Sequence, residues 1–120
     1  PLQQKRRDPE CRLVFEQIER CWGRDPATGL HLLKCAATGE HGFGHFKNDA
    51  CFQGLRQQDI ERLFGKADTI VGGHMYCYMS QPCLQGTAVV SNGCYYLQCI
   101  LDANGFATRI MIATMFENID

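Results

Sequence analysis

Cysteine is the residue type with the most chemistry to offer in this chain. There are eight: Cys11, Cys21, Cys35, Cys51, Cys77, Cys83, Cys94 and Cys99. Structural zinc sites and thioredoxin-like redox sites need two thiols about three residues apart, presented on one turn. The closest pair here, Cys94 and Cys99, is five apart. An even number of cysteines at scattered spacing reads instead as up to four disulfides, which places the chain in an oxidising compartment. Histidine is the next candidate. His31, His41, His45 and His74 carry imidazoles that could ligate a metal, and His41 and His45 have i, i+4 spacing. The glycines between those two argue against a helix that would align both rings, so surface or capping roles are the plain reading. Cys35 beside His31 would be the nucleophile and base of a thiol enzyme. No nucleophile signature surrounds them, and no thiol is left over if all eight cysteines pair. Gly72-Gly73 and the glycines at 42 and 44 lack the spacing of a phosphate-binding loop and read as turns. No pair of carboxylates stands out at hydrolase spacing. No metal and no cofactor is expected.

Composition narrows the field further. A chain of 120 residues fits one domain and buries roughly two-thirds of its unfolded surface. Disulfides would then reinforce a core that already exists. A formal net charge of -1 gives no electrostatic footprint for nucleic acid. No apolar run is long enough for a transmembrane span. Residues 1–8, with Lys5, Arg6 and Arg7 together, read as a polar leader or tether ahead of a single domain over 9–120. A lipid anchor upstream of it stays open.

Elements must position these groups. Asp8-Pro9 is a helix start, with an N-cap acceptor followed by proline at the first helical position. Cys11, Val14, Phe15, Ile18, Cys21 and Trp22 then form one apolar stripe, so a helix is predicted over 9–22, with Gly23 as its left-handed stop. Residues 23–53 carry few periodic signals and are expected to be mostly irregular, with 30–35 readable as a short helix or a strand. A second helix is predicted over 56–64, with Ile60, Leu63 and Phe64 inward and Gly65 as its stop. Strands follow at 75–80, 94–101 and 106–115, the last two joined by a turn at Asp102-Ala103-Asn104-Gly105 that uses positive φ at Asn104 and Gly105. The fold class is α+β: two helices packed on one face of an antiparallel sheet of three or four strands, reinforced by disulfides.

Strand periodicity assigns faces. Pairing Leu101 with Phe106 puts Cys99, Leu97 and Tyr95 opposite Thr108, Ile110 and Ile112 on the core face. Pairing Met79 with Leu97 puts Cys77 opposite Cys99, within reach of a bridge. Cys83 and Cys94 flank the loop 84–93, where a disulfide would contribute up to about 3 kcal/mol. Cys11 and Cys21 lie on one helix, roughly 15 Å apart at its rise per residue, too far to pair with each other. They are left with Cys35 and Cys51, and Cys21–Cys35 with Cys11–Cys51 is preferred because it closes the shorter inner loop. The outer face then carries Tyr76, Tyr78, Tyr96, Ile100 and Met111, with Arg109 beside them. Apolar patches of that kind mark interfaces, and tyrosine is enriched in binding hot spots.

Over residues 51–112 the pattern Cys51-Phe52-x-Gly54-Leu55, then Asp59-Ile60-x-x-Leu63-Phe64-Gly65-Lys66-x-Asp68, resembles the helix signature of SmpA/OmlA-type (BamE-like) envelope lipoproteins. The aromatic strand at 76–79, and Leu97-x-x-x-Leu101-Asp102-x-x-Gly105 followed by Ile110, are similar to that family's later strands. The resemblance covers about half the chain. Ala67 stands where the family has proline, and eight cysteines exceed what such lipoproteins carry. It implies a helix pair on an antiparallel sheet, as in the β-lactamase-inhibitor-protein group, and a protein-binding or envelope-structural role without catalysis.

The reading that results is a non-catalytic protein-binding module, periplasmic, outer-membrane-associated or extracellular. Its partner is another protein, with self-association into a homodimer left open. An inhibitor of a secreted enzyme is the alternative, using the same outer sheet face. A small thiol- or metal-dependent enzyme is the third.

Overall fold

A computed structural model gives the architecture for residues 2–34, 49–79 and 95–114. The fold class is α+β, with element order α1 (Leu2–Lys5), α2 (Pro9–Cys21), β1 (Trp22–Arg24), β2 (His31–Leu33), α3 (Asp49–Phe52), α4 (Gln57–Phe64), β3 (Thr69–Val71), β4 (His74–Tyr78), β5 (Tyr95–Leu101) and β6 (Ala107–Thr114).

The two long helices form where their caps and stripes place them. Asp8 is extended, and its carboxylate accepts the Glu10 N–H at 2.9 Å, with Pro9 leading the first turn. Cys11, Val14, Phe15, Ile18 and Cys21 are buried along one side of α2. At α4, the Asp59 carboxylate reaches back to the Arg56 N–H at 3.1 Å, the N3 half of a capping box. Gly65, at φ 87°, closes that helix by donating to the Glu61 carbonyl.

Three expectations are corrected around α2. Gly23 is no left-handed stop: Trp22 is already extended, and the chain passes straight from α2 into β1. Within the stretch 23–53 the strand reading of 30–35 holds at His31–Leu33, and the unexpected element is β1, which pairs antiparallel with it as Trp22↔Leu33, Gly23↔Leu32 and Arg24↔His31; residues 35–48 lie outside the described residues. A three-residue strand containing glycine is too short for its alternation to be read. Residues 2–8 are not a solvated tether. Leu2 is buried, Lys5 donates to the Ala50 carbonyl at 2.9 Å, and Arg6 pairs with Glu19 while lying over the Phe15 ring. A single apolar side chain docked into the core outweighs the polar composition around it.

The second sheet has four strands in the order β3-β4-β5-β6, all antiparallel. β3 extends the expected three strands. Gly72 and Gly73, at φ 56° and 81°, make the two-residue turn that joins it to β4. At the β5–β6 turn the Asp102 carboxylate accepts from both Asn104 N–H (2.9 Å) and Phe106 N–H (3.0 Å). Only Gly105 uses positive φ there, not Asn104.

Both hairpin registers differ from the sequence expectation. Met75 faces Cys99 and Cys77 faces Leu97, so Cys77 and Cys99 are not opposed; both are free and buried. The expected Cys77–Cys99 bridge is therefore absent. A bulge between Ile100 and Leu101 pairs Leu101 with Ala107, Cys99 with Ile110 and Leu97 with Ile112, and leaves Thr108 exposed. Between β4 and β5 the slip is by two residues, which keeps each side chain on its face while changing its partner; the bulge instead shifts the start of β6 by one, so Ala107 lies in the core, while Thr108 and Tyr95, expected on the core face, are exposed.

Cys11–Cys51 is bonded, tying α2 to α3. Cys21 is also in a disulfide, whose partner lies outside the described residues, as do both cysteines of the expected Cys83–Cys94 bridge. One apolar cluster holds Phe15 and Ile18 of α2, Phe52 of α3, Ile60 and Phe64 of α4, and Met75, Leu97 and Ile110 of the sheet.

Candidate protein-binding face and edge

The sheet register sets the outer face row by row. Val71, His74, Ile100 and Arg109 form the row at the glycine turn, Thr69, Tyr76, Gln98 and Met111 the middle row, and Tyr78 and Tyr96 the far row. All six residues expected at a binding face thus share it. Their exposure does not match the expectation of an open aromatic patch. Tyr96 is only 6% exposed, Tyr76, Tyr78, Ile100 and Met111 are half-buried, and Arg109 alone is exposed. The polar atoms of this face are also occupied. Gln98 Nε2 donates to His74 Nδ1 (2.8 Å) and to the Tyr76 hydroxyl (3.2 Å), and the Tyr78 hydroxyl bonds to Thr69 Oγ1 (2.8 Å). Tyr76 meets Tyr96 edge-on at 5.3 Å. Tyr76 and Tyr78 thus stand half-buried with their hydroxyls bonded within the sheet, and Tyr96 is the buried ring of the three.

The accessible apolar surface lies at β3 instead. Ile70 is 45% exposed and Val71 62%. The bonds Leu101 N–H to Gly73 O and Met79 N–H to Tyr95 O show that Gly73, Met75, Cys77 and Met79 turn their backbone groups toward β5. Ile70 pairs with Met75, so its own N–H and C=O point away from β4, out of the sheet. The opposite edge starts differently: Gly54 N–H bonds to Ala107 O, Ala107 N–H to Leu55 O, and α3 contacts β6. Sequence reading missed this edge, although the run Thr69-Ile70-Val71 before Gly72-Gly73 is the pattern of a hairpin strand.

Of the other chemical candidates, Cys35, His41 and His45 lie outside the described residues. Burial pushes the Cys77 and Cys99 thiols up to about 12, so neither is a thiolate nucleophile near neutral pH. A depression of about 420 Å³ between α1 and α4 is lined by Leu2, Gln3, Arg6, Asp59 and Arg62. Its Arg6 is held by Glu19, and its Asp59 caps α4 and lies 3.6 Å from Arg62. Among the described residues no group of three or more His, Cys, Asp or Glu converges on one point, and no helix is long and apolar enough to cross a membrane. Compared with protein-family models, with curated proteins and with solved structures, the chain finds no match.

Proposed function

We propose that this chain is a non-catalytic protein-binding domain of the cell envelope or extracellular space, and that it takes an extended segment of its partner as an added strand along β3. The observation that carries this reading is the geometry of Ile70, whose backbone donor and acceptor leave the sheet at an edge flanked by exposed apolar side chains. Main-chain hydrogen bonds supply affinity in strand addition, and side chains alternating along the edge supply selectivity. The Cys11–Cys51 bridge supports a location where disulfides persist. The resemblance of residues 51–112 to envelope lipoproteins points the same way.

The reading has a direct test. Unstructured peptides selected from a display library on the immobilised domain should bind Ile70→Pro about tenfold or more weaker than the native chain. The substitution removes a donor that β4 does not use, so proline is tolerated at this edge position and the melting temperature should barely move. Ile70→Lys, which keeps the donor but charges the edge, should weaken binding as well. Peptides that bind both variants as tightly as the native chain, with all three proteins folded, would refute strand addition at β3.

A further inference from the structure

Among the described residues, His31 is the one buried titratable group that neither the core, the α4 cap nor the β3 edge accounts for. It begins β2, is 1% exposed, and lies against Trp22 with ring centroids 5.8 Å apart. Arg24, its cross-strand partner, places Nη2 2.6 Å from His31 Nε2 and 3.0 Å from the Lys66 carbonyl. A guanidinium only donates, so Nε2 accepts and the ring proton is assigned to Nδ1. That Nδ1 is buried without a hydrogen-bond partner. Asp68 Oδ2 stands 3.4 Å from the same Nε2, and Asp68 Oδ1 is 3.8 Å from Arg24. The arginine and the aspartate therefore compete for one nitrogen, and the protonation state of the ring decides between them.

We infer that His31 is a proton-operated latch on the β1–β2 hairpin: a proton from solvent on Nε2 turns that nitrogen into a donor to Asp68, expels Arg24, and frees the arginine from the Lys66 carbonyl. Neutral His31 fastens the hairpin to the connection between α4 and β3. Protonated His31 places a cation where Arg24 stands, so the arginine must leave. The charged groups facing the ring are Arg24 from β1 and Asp68 from the α4–β3 connection. Glu61 of α4 is turned to the Ala67 N–H and Gln57, and Cys77 of β4 carries a neutral thiol. Burial, the leading cause, depresses the His31 pKa below 6.5, Asp68 opposes this, and Arg24 adds to it. The unfolded chain therefore takes up the proton first. The latch contributes stability fully above pH 6.5 and loses it as pH falls through the lower folded value. Asp68 also accepts the Tyr78 N–H at 2.7 Å, and the latch does not use the backbone groups of Ile70.

Trp22 is the only tryptophan in the chain and reports on the ring directly. In the native protein its fluorescence should change in one transition below pH 6.5, while far-UV circular dichroism stays constant. His31→Gln should abolish the transition. Arg24→Gln should move its midpoint up, and Asp68→Asn should move it down. The ring resonances of His31, followed by NMR in the unmutated chain, should titrate with the same midpoint, which keeps the test open should a variant misfold. A flat Trp22 signal down to the pH of global unfolding, an unchanged transition in a folded His31→Gln, or shifts of the same sign in the other two variants would overturn the latch.

Discussion

Removing the Cys11–Cys51 bridge by the double substitution Cys11→Ser/Cys51→Ser should lower the unfolding free energy by about 4 kcal/mol in the loop-entropy account. The bridge spans a sequence separation of 40 and joins α2 to α3. Without it the unfolded chain regains the freedom of that loop, while the folded state loses two buried sulfurs' contacts at most. For a domain of this size such a loss is a large part of the total stability. Urea unfolding of the native and double-serine proteins, both without reductant, measures it. A difference below about 1 kcal/mol would mean that the unfolded chain keeps α2 and α3 together without the bond.

Phe64→Ala should cost about 3–5 kcal/mol through the cavity it leaves. Phe64 ends α4, 2% exposed, with its ring 5.5 Å from Trp22 and 6.1 Å from Phe52, while its carbonyl accepts the Trp22 indole N–H at 2.8 Å. It thus joins α4, α3 and the start of the β1–β2 hairpin at one point. Neighbours held by a disulfide and by a backbone ladder have little room to collapse into the gap, which places the cost in the upper part of the usual range. Thermal and urea unfolding of the variant measure the loss. Leu63→Ala on the same helix should cost less, because Leu63 is nearer the rim at 7% exposed. A larger loss for Leu63 than for Phe64 would put the centre of the core elsewhere.

The two long helices were legible from their own signals: Asp8-Pro9 and the stripe from Cys11 to Cys21 for α2, and the apolar face of Ile60, Leu63 and Phe64 with Gly65 for α4; α1 and α3, four residues each, are too short to show. Sheet faces were legible along β4 and most of β5 and β6 because their period is two, and failed at the bulge, where Ala107 is core and Thr108 exposed. Strand partners were not, since no pattern of apolar residues distinguishes Cys77 facing Cys99 from Cys77 facing Leu97. The bulge at Thr108 and the Gly72-Gly73 turn set the register locally, and a bulge leaves no periodic trace. The outer face of the sheet was legible as a face only. Whether Tyr96 is open or covered is a tertiary fact, as is the docking of Leu2. His31 read as a surface or capping histidine because its burial arises from β1, β2 and the α4–β3 connection meeting, three pieces too short to show in sequence.

Amide hydrogen exchange at Ile70 in the native, partner-free protein tests the β3 edge most directly. An outward-facing donor should exchange on the timescale of an exposed strand edge, much faster than Cys99 in the centre of the sheet, and should become protected when a selected peptide binds. Slow exchange at Ile70 comparable to Cys99 in the free protein, or no added protection at Ile70 in a saturated complex, would contradict strand addition at this edge.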